Sequence, residues 1–301
     1  MSAHTAYVVF NPLAGHGRHD AIEAALARAL ADAGWSYEIY RVTGQESLPE
    51  LIRSALKQDY DVFVAAGGDG TVSAVAAGLA NSGKPLGILP VGTTNVLAIE
   101  LGIPLRLSGA LDLLTGKHRR RDMDALQMEG RYLLVGLSIG LLPIIARETP
   151  IEEKHRLGFF AYLWTGLKEL GRLNTRTFEL SVDGHEDRLR AAELVVANGA
   201  TFDAAMRRFG LRGTPVEGRI VVYAVRALTP LCLIALLWQR ITGQAPTRAP
   251  IRQWTAQQYV KIRTEAPADV QGDGDVVAQT PVDVRLAPEA VQILVPADGQ
   301  P

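Results

Sequence analysis

A single cysteine, Cys232, stands among 301 residues. No intrachain disulfide can form, and nothing implies an oxidising compartment. Its neighbours Leu231, Leu233 and Ile234 favour a packed thiol over a reactive one. An excess of one charge is also missing: 31 Lys and Arg face 32 Asp and Glu, for a net charge of −1. That balance offers no global field for nucleic acid, which is not expected as a partner, or for an acidic membrane surface. Long hydrophobic runs are absent too. The longest, 228–238, is broken by Thr229 and Pro230 and falls far short of the ~20 residues that a spanning helix needs. The first ten residues lack the basic start and apolar core of a signal peptide. These absences predict a cytoplasmic, soluble chain with peripheral membrane contact at most.

What is present is apolar material, 48% of the chain, enough for sizeable cores and for two domains rather than one. The pattern centres on residues 61–95. A buried-strand run, Val62-Phe63-Val64-Ala65-Ala66, leads into Gly67-Gly68-Asp69-Gly70-Thr71 and an alanine-rich helix. A second apolar run, Leu86-Gly87-Ile88-Leu89, leads into Pro90-Val91-Gly92-Thr93-Thr94-Asn95. Short continuous apolar runs ending in glycine read as parallel strands buried on both faces. Helical patterns follow both loops, so both should lie at one carboxyl edge of a sheet, where ligands of open α/β sheets sit.

Consecutive glycines let backbone N–H groups approach an anion, helped by the positive end of the following helix. Asp69 is out of place in a simple phosphate cradle. It makes sense if a divalent cation bridges it to phosphates, or if it orients a hydroxyl nucleophile. Taken alone, GGDGT also fits a tight strand-to-helix turn with Asp69 as N-cap; the second Gly/Thr/Asn loop argues against that reading.

Strand and helix alternate through the first third. Residues 6–10 read as a buried strand ending in Asn11-Pro12-Leu13-Ala14-Gly15. Ile22, Leu26 and Leu30 recur at helical spacing, and Gly34 stops that helix. A less buried strand is expected over 37–42. Ser47-Leu48-Pro49-Glu50 reads as a capping box opening a helix to about residue 57, and the next helix is expected over 72–80. A parallel, doubly wound sheet is the economical fold. Near Arg121 the grammar changes. Hairpins are expected over 121–139, turning at Glu129-Gly130, and from strands over 178–182 and 190–197, turning at Asp183-Gly184. Strands are expected over 219–225, 259–263, 282–286 and 291–295, and helices over 159–170 and 231–241. This half reads as a mainly antiparallel β domain.

Together, Asn11-Pro12 with Gly15, Gly67-Gly68-Asp69-Gly70-Thr71 and the loop ending Val91-Gly92-Thr93-Thr94-Asn95 resemble the diacylglycerol kinase catalytic domain, in order and at suitable spacing. The likeness is to the bacterial soluble lipid kinases related to sphingosine kinases. It continues through Met123-Asp124-Ala125, Ser138-Ile139-Gly140 and Asp273-Gly274-Asp275, and so spans nearly the whole chain. The resemblance implies an N-terminal α/β domain like that of NAD kinases and diacylglycerol kinases, residues 1–120. A β-sandwich-like lipid-substrate domain, 121–286, would follow, with the tail 287–301 returning to the first domain and the active site in the cleft between them. It implies transfer of the ATP γ-phosphoryl group, with Mg²⁺, to a lipid hydroxyl. By motif position, Asn11, Pro12, Leu13, Ala14, Gly15, Thr43, Gly67, Gly68, Asp69, Gly70, Thr71, Val72, Ser73, Gly92, Thr93 and Asn95 would bind ATP. Asp69 and Asp124 would join a water network around Mg²⁺, and Asp275 would take the lipid hydroxyl proton. A homodimer stays open.

The chain departs from the family pattern at three places. Val96 replaces a common aspartate. Asp275 is one methylene shorter than the family's glutamate, and a displacement of about 1 Å at a reacting group can cost on the order of 10²-fold; the backbone must then approach closer, a water must bridge, or Asp69 must be the base. Glu217-Gly218 stands where a second, structural Mg²⁺ site usually has Asp-Gly. Two rivals follow: NAD kinase-like phosphorylation of a soluble dinucleotide, and a nucleotide-binding regulatory protein with little turnover. Among other features, Lys117-His118-Arg119-Arg120-Arg121 and the weaker Arg207-Arg208 with Arg212 read first as solvated faces, with anionic headgroups or ATP phosphates as the functional alternative. His155 has no assigned role.

Overall fold

The computed structural model describes residues 4–15, 19–93, 95–140, 175–199, 217–225, 251–273 and 275–297. The expected helices over 159–170 and 231–241, Cys232, His155, Arg207, Arg208, Arg212, Thr94 and Gly274 lie outside these residues. The chain divides into two compact units, residues 1–125 with 288–301, and residues 126–287.

The first unit begins β1 (Thr5–Phe10), α1 (His19–Asp32), β2 (Ser36–Arg41), α2 (Leu48–Ala55), β3 (Val62–Gly67), α3 (Asp69–Leu79), β4 (Pro85–Pro90), α4 (Val96–Glu100) and α5 (Leu107–Thr115). The strands pair in parallel in the order β2-β1-β3-β4. β5 (His118–Met128) starts in this unit and ends in the second. Both faces of the sheet are covered, which explains the unbroken apolar runs. Ala6, Val8 and Phe10 of β1 and Val62, Val64 and Ala66 of β3 pack with Leu26 and Leu30 of α1 and Leu111 and Leu114 of α5. On the opposite face, where the period of two sends the intervening residues, the rings of Tyr7, Tyr60 and Phe63 meet at centroid distances of 5.1 to 5.9 Å. Burying a side chain such as Phe10 or Leu26 contributes about 2 kcal/mol.

Helix starts differ from the sequence expectation. Ser47 does stand at the N-cap of α2, with proline in the first turn, yet its hydroxyl makes no capping bond. The expected capping box is therefore not closed. α3 begins three residues before expected, with Gly68 as N-cap and Asp69 already in the first turn.

The second unit contains β6 (Arg131–Leu133), β7 (Gly136–Gly140), β8 (Arg176–Val182), β9 (His185–Ala191), β10 (Glu193–Asn198), β11 (Ile220–Val225), β12 (Ile251–Ala256), β13 (Tyr259–Thr264), β14 (Asp269–Gly272) and β15 (Asp275–Gln279). β16 (Val282–Pro296) starts here and ends in the first unit. β12-β11-β10-β7-β14-β15 form one antiparallel sheet. β9, β8, β13 and the first part of β16 pair antiparallel in another. Phe178, Leu180, Val260, Ile262 and Val284 of the one pack with Ile139, Leu194, Val196, Val222 and Val270 of the other. The fold is thus a parallel α/β unit and an antiparallel β-sandwich, as expected.

The hairpins needed correction. The Asp183-Gly184 turn is present, both residues at positive φ (47° and 89°), as a two-residue hairpin requires. Its return strand, however, is β9, and the expected 190–197 segment is split between β9 and β10 in different sheets. Likewise 131–139 is split into β6, paired with β5, and β7, paired with β10 and β14. The expected strands over 282–286 and 291–295 form one strand, β16, running through Pro288.

Candidate active site

The carboxyl ends of the parallel strands carry the loops singled out above, and backbone contacts draw them together. Asn11 follows β1; its N–H donates to Ala66 O at 2.9 Å. Its amide Nδ2 donates to Thr71 Oγ1 at 2.8 Å, and its Oδ1 accepts the N–H of Leu13 at 2.9 Å. The β1 loop is thereby tied to the first turn of α3. Gly15, at φ +79°, lies so close to the β4 loop that a Cβ would meet Val91 O at 2.2 Å. A Cβ on Gly92 would meet Gly68 Cα at 2.4 Å. Glycine is required here because two backbones touch. Three loops thus form one cluster.

The β2 loop joins at its edge. A Cβ on Gly44 would be in ordinary contact with Leu13. Thr43 donates from its N–H at 2.7 Å and from Oγ1 at 2.6 Å to the Glu46 carboxylate, which also accepts the Gln45 N–H. The Thr43 hydroxyl bond is the main cause that pulls Glu46 from its ordinary 4.5 down to about 2; desolvation opposes it and the backbone bonds add to it. Glu46 escaped the sequence reading, although Thr43 and Glu46 carry the T-x-x-E spacing that signals such a turn.

The α3 start has no capping side chain at Gly68. The N–H groups of a helix's first turn have no partner within the helix, and together with the macrodipole they suit an anion. A Cβ at Gly70 would meet nothing within 4 Å, so space is open there. Asp69 directs Oδ1 to the Leu97 N–H of α4, at 3.2 Å, leaving Oδ2 without a hydrogen bond among the described residues.

Other expected ligand residues face inward. The Val72 N–H bonds Gly68 O, and Val72 and Ser73 are buried in α3. Asn95, at φ 47°, spends its amide on its own loop: Oδ1 accepts the Gly92 N–H at 3.1 Å and Nδ2 donates to Gly92 O at 2.8 Å. These residues shape the loops from behind. Pro12, Ala14, Gly67 and exposed Thr93 lie in the loop cluster itself, and Gly67 abuts the Thr71 side chain.

The expected acidic set is distributed more widely. Asp124 Oδ1 accepts the Glu289 N–H at 3.0 Å. Among the described residues no group of three or more His, Cys, Asp or Glu could hold a metal. Glu217 sits exposed in a turn of the second unit. Asp275 opens β15 there. Its neighbour Asp273 has a structural task the sequence reading overlooked: its carboxylate accepts the N–H groups of Leu134 (2.8 Å), Val135 (3.1 Å) and Gly136 (3.1 Å).

The chain thus combines a parallel α/β unit, with glycine-bearing strand tips gathered at one edge, and an antiparallel β-sandwich. The diacylglycerol kinase catalytic domain matches residues 5–128, and the YegS C-terminal NAD kinase beta sandwich-like domain matches residues 145–295, half of the chain. The chain belongs to the family of the YegS-type C-terminal domain and carries a diacylglycerol kinase catalytic domain ahead of it. It is 26% identical to protein sll0036 of Synechocystis sp. over 98% of this chain and 71% of that one. It is 31% identical to a diacylglycerol kinase of Bacillus subtilis over 60% of each, so the match spans less than two thirds of that relative. A crystal structure of a diacylglycerol kinase from Bacillus anthracis str. Sterne has the same fold, with a TM-score of 0.75, 22% identity and 99% of both chains covered. No helix among the described residues is long and apolar enough to cross a membrane.

Proposed function

We propose that the protein is an ATP- and Mg²⁺-dependent lipid kinase that transfers the γ-phosphoryl group to the hydroxyl of diacylglycerol or a related lipid. The observation that carries this reading is the uncapped start of α3 beside the Gly68–Gly92 backbone approach. It presents N–H donors and open space at a point that Asn11, Thr71 and Val91 hold in place. Phosphoryl transfer is mostly positioning and charge stabilisation, which backbone donors supply without reorganisation. Relatives named diacylglycerol kinase in Bacillus subtilis and Staphylococcus haemolyticus suggest the acceptor class.

The donor set fits Mg²⁺ as it binds with nucleotides. There the ion keeps several waters and takes one or two carboxylates along with the phosphates, so no acidic cage is needed. Asp69, with Oδ1 fixed by Leu97, would present Oδ2 to it, and Asp124 would act through water. When bound, the cation neutralises charge on the phosphate oxygens. Asp275 would hold the proton leaving the lipid hydroxyl, a general-base contribution typically of about 10²–10⁴-fold.

The test is γ-phosphate transfer from ATP to diacylglycerol, a sphingoid base, phosphatidylglycerol and, as soluble control, NAD, with Asp69→Ala and Asp275→Asn beside the unaltered protein. A lipid product that both variants reduce at least about tenfold is expected. No lipid product above the variants defeats the reading, and a phosphorylated dinucleotide replaces it with the soluble-substrate rival.

A further inference from the structure

The basic run at 117–121 stands apart in sequence from the glycine loops. β5 begins at His118, and two alternate members of the run, His118 and Arg120, line a cavity of about 350 Å³ with His4, Trp35, Asp61 and Lys84. His4 and Trp35 precede β1 and β2, Asp61 precedes β3 and Lys84 precedes β4. The cavity therefore lies at the amino edge of the parallel sheet, the end opposite the glycine tips.

Two of its basic side chains are tied to backbone carbonyls. Lys84 Nζ donates to Tyr60 O at 2.6 Å, which leaves two ammonium hydrogens for a ligand. His118 Nδ1 lies 3.1 Å from Leu113 O; a carbonyl only accepts, so Nδ1 carries the proton and Nε2 is left to the cavity side. Arg120 is exposed and has no ion pair or hydrogen bond to the described residues. The one carboxylate, Asp61, accepts the Thr5 N–H at 2.8 Å and stands 4.0 Å from His4 Nδ1. The half-buried Trp35 packs against the His4 ring at 5.1 Å.

We infer that this cavity binds a small hydroxylated phosphate monoester. Arg120 and Lys84 take the phosphate, for which guanidinium and ammonium are the matched donors. Asp61 accepts from a hydroxyl, and Trp35 supplies a flat apolar wall. The volume is at the small end of ligand sites, ~300–1,000 Å³, and suits a three- to six-carbon ester rather than a dinucleotide or an acyl chain.

The full chain is titrated with sn-glycerol 3-phosphate, inorganic phosphate and glycerol, following the Trp35 indole N–H resonance by NMR, assigned through Trp35→Phe. The ester gives a saturable shift, inorganic phosphate a weaker one and glycerol none. Arg120→Ala and Arg120→Gln each weaken the ester roughly tenfold or more with unchanged melting temperature, while Asp69→Ala leaves it intact. The inference is overturned by the absence of a saturable shift, by full affinity in both Arg120 variants, or by loss of binding in Asp69→Ala, which would place the ester among the glycine loops. Inorganic phosphate binding as tightly as the ester removes the role of Asp61. A shift seen with phosphatidic acid vesicles and not with the soluble ester assigns the cavity to a lipid headgroup instead. The readout is binding, so it stands apart from whether the protein phosphorylates lipid.

Discussion

Asn11 Nδ2 and Thr71 Oγ1 meet at 2.8 Å across 60 residues of sequence, and this bond fastens the first strand's loop to the start of α3. Asn11→Ala and Thr71→Val should each raise the nucleotide dissociation constant several-fold. Combined, they should cost less than the sum, with a coupling of about 1 kcal/mol. Calorimetric titration of ATP into the four proteins measures it; strict additivity would mean the bond does not organise the site.

Two glycines of the same cluster should differ in what their substitution does to stability. Gly92→Ala forces a Cβ to within 2.4 Å of Gly68 Cα and should destabilise the protein by about 1–3 kcal/mol while weakening nucleotide binding. Gly70→Ala meets nothing within 4 Å and lies in a helix, where alanine is favoured by about 0.5–1 kcal/mol. Its melting temperature should hold or rise, yet ATP affinity should fall because the added methyl fills the open side of the cradle. Unchanged affinity in Gly70→Ala would remove that side from the nucleotide site.

Asp273 and Asp275 are two residues apart and should separate cleanly. Asp273→Ala strands three backbone donors at 134–136 and should cost about 2 kcal/mol or more in chemical unfolding. Asp275→Asn should lower turnover with little change in stability. A reversed pattern would exchange their roles.

Acid should act first on ordered turns. Glu46 is held near 2 against an ordinary 4.5, chiefly by the Thr43 hydroxyl. Its folded value is depressed, so its contribution is present above about 4.5 and is lost as pH falls from there toward 2. For Asp183, burial opposes ionisation, but the N–H groups of Gln257, Tyr259 and Gln258 outweigh it and keep the carboxyl below its usual value. Its support for the β8–β9 turn is likewise lost as pH falls through the depressed value. Carboxyl-detected NMR titration should show Glu46 moving up toward 4.5 in Thr43→Val; an unmoved Glu46 would discard the hydroxyl as cause.

What could be read ahead of the structure was local. Val8, Phe10, Val62 and Val64 form continuous apolar runs, and such runs ending in glycine specify parallel strands whose tips carry loops. What could not be read depends on distant partners. The break between Leu133 and Gly136 is held by Asp273, more than 130 residues later, so no local pattern announced that β6 and β7 join different sheets. The expected strands stop at 286 and resume at 291; between them Pro288 has no N–H to donate and Glu289 sits at φ 49°. Asp124 accepts the Glu289 N–H and lets β16 continue. The inward turn of the Asn95 amide was equally hidden: a Gly-Thr-x-Asn loop looks the same whether its asparagine meets a ligand or its own backbone.

One strand sets the timetable on the ribosome. Gln292 and Ile293 pair with Pro85 and Leu86, and Leu294 sits in the core beside Val64 and Leu114. The parallel α/β unit therefore waits for β16 to be translated before its sheet is whole. Its ordinary head start as the earlier-synthesised portion is forfeited, and a stalled or prematurely terminated product would expose the flank of β4 as a sticky edge for chaperones or neighbours to cover.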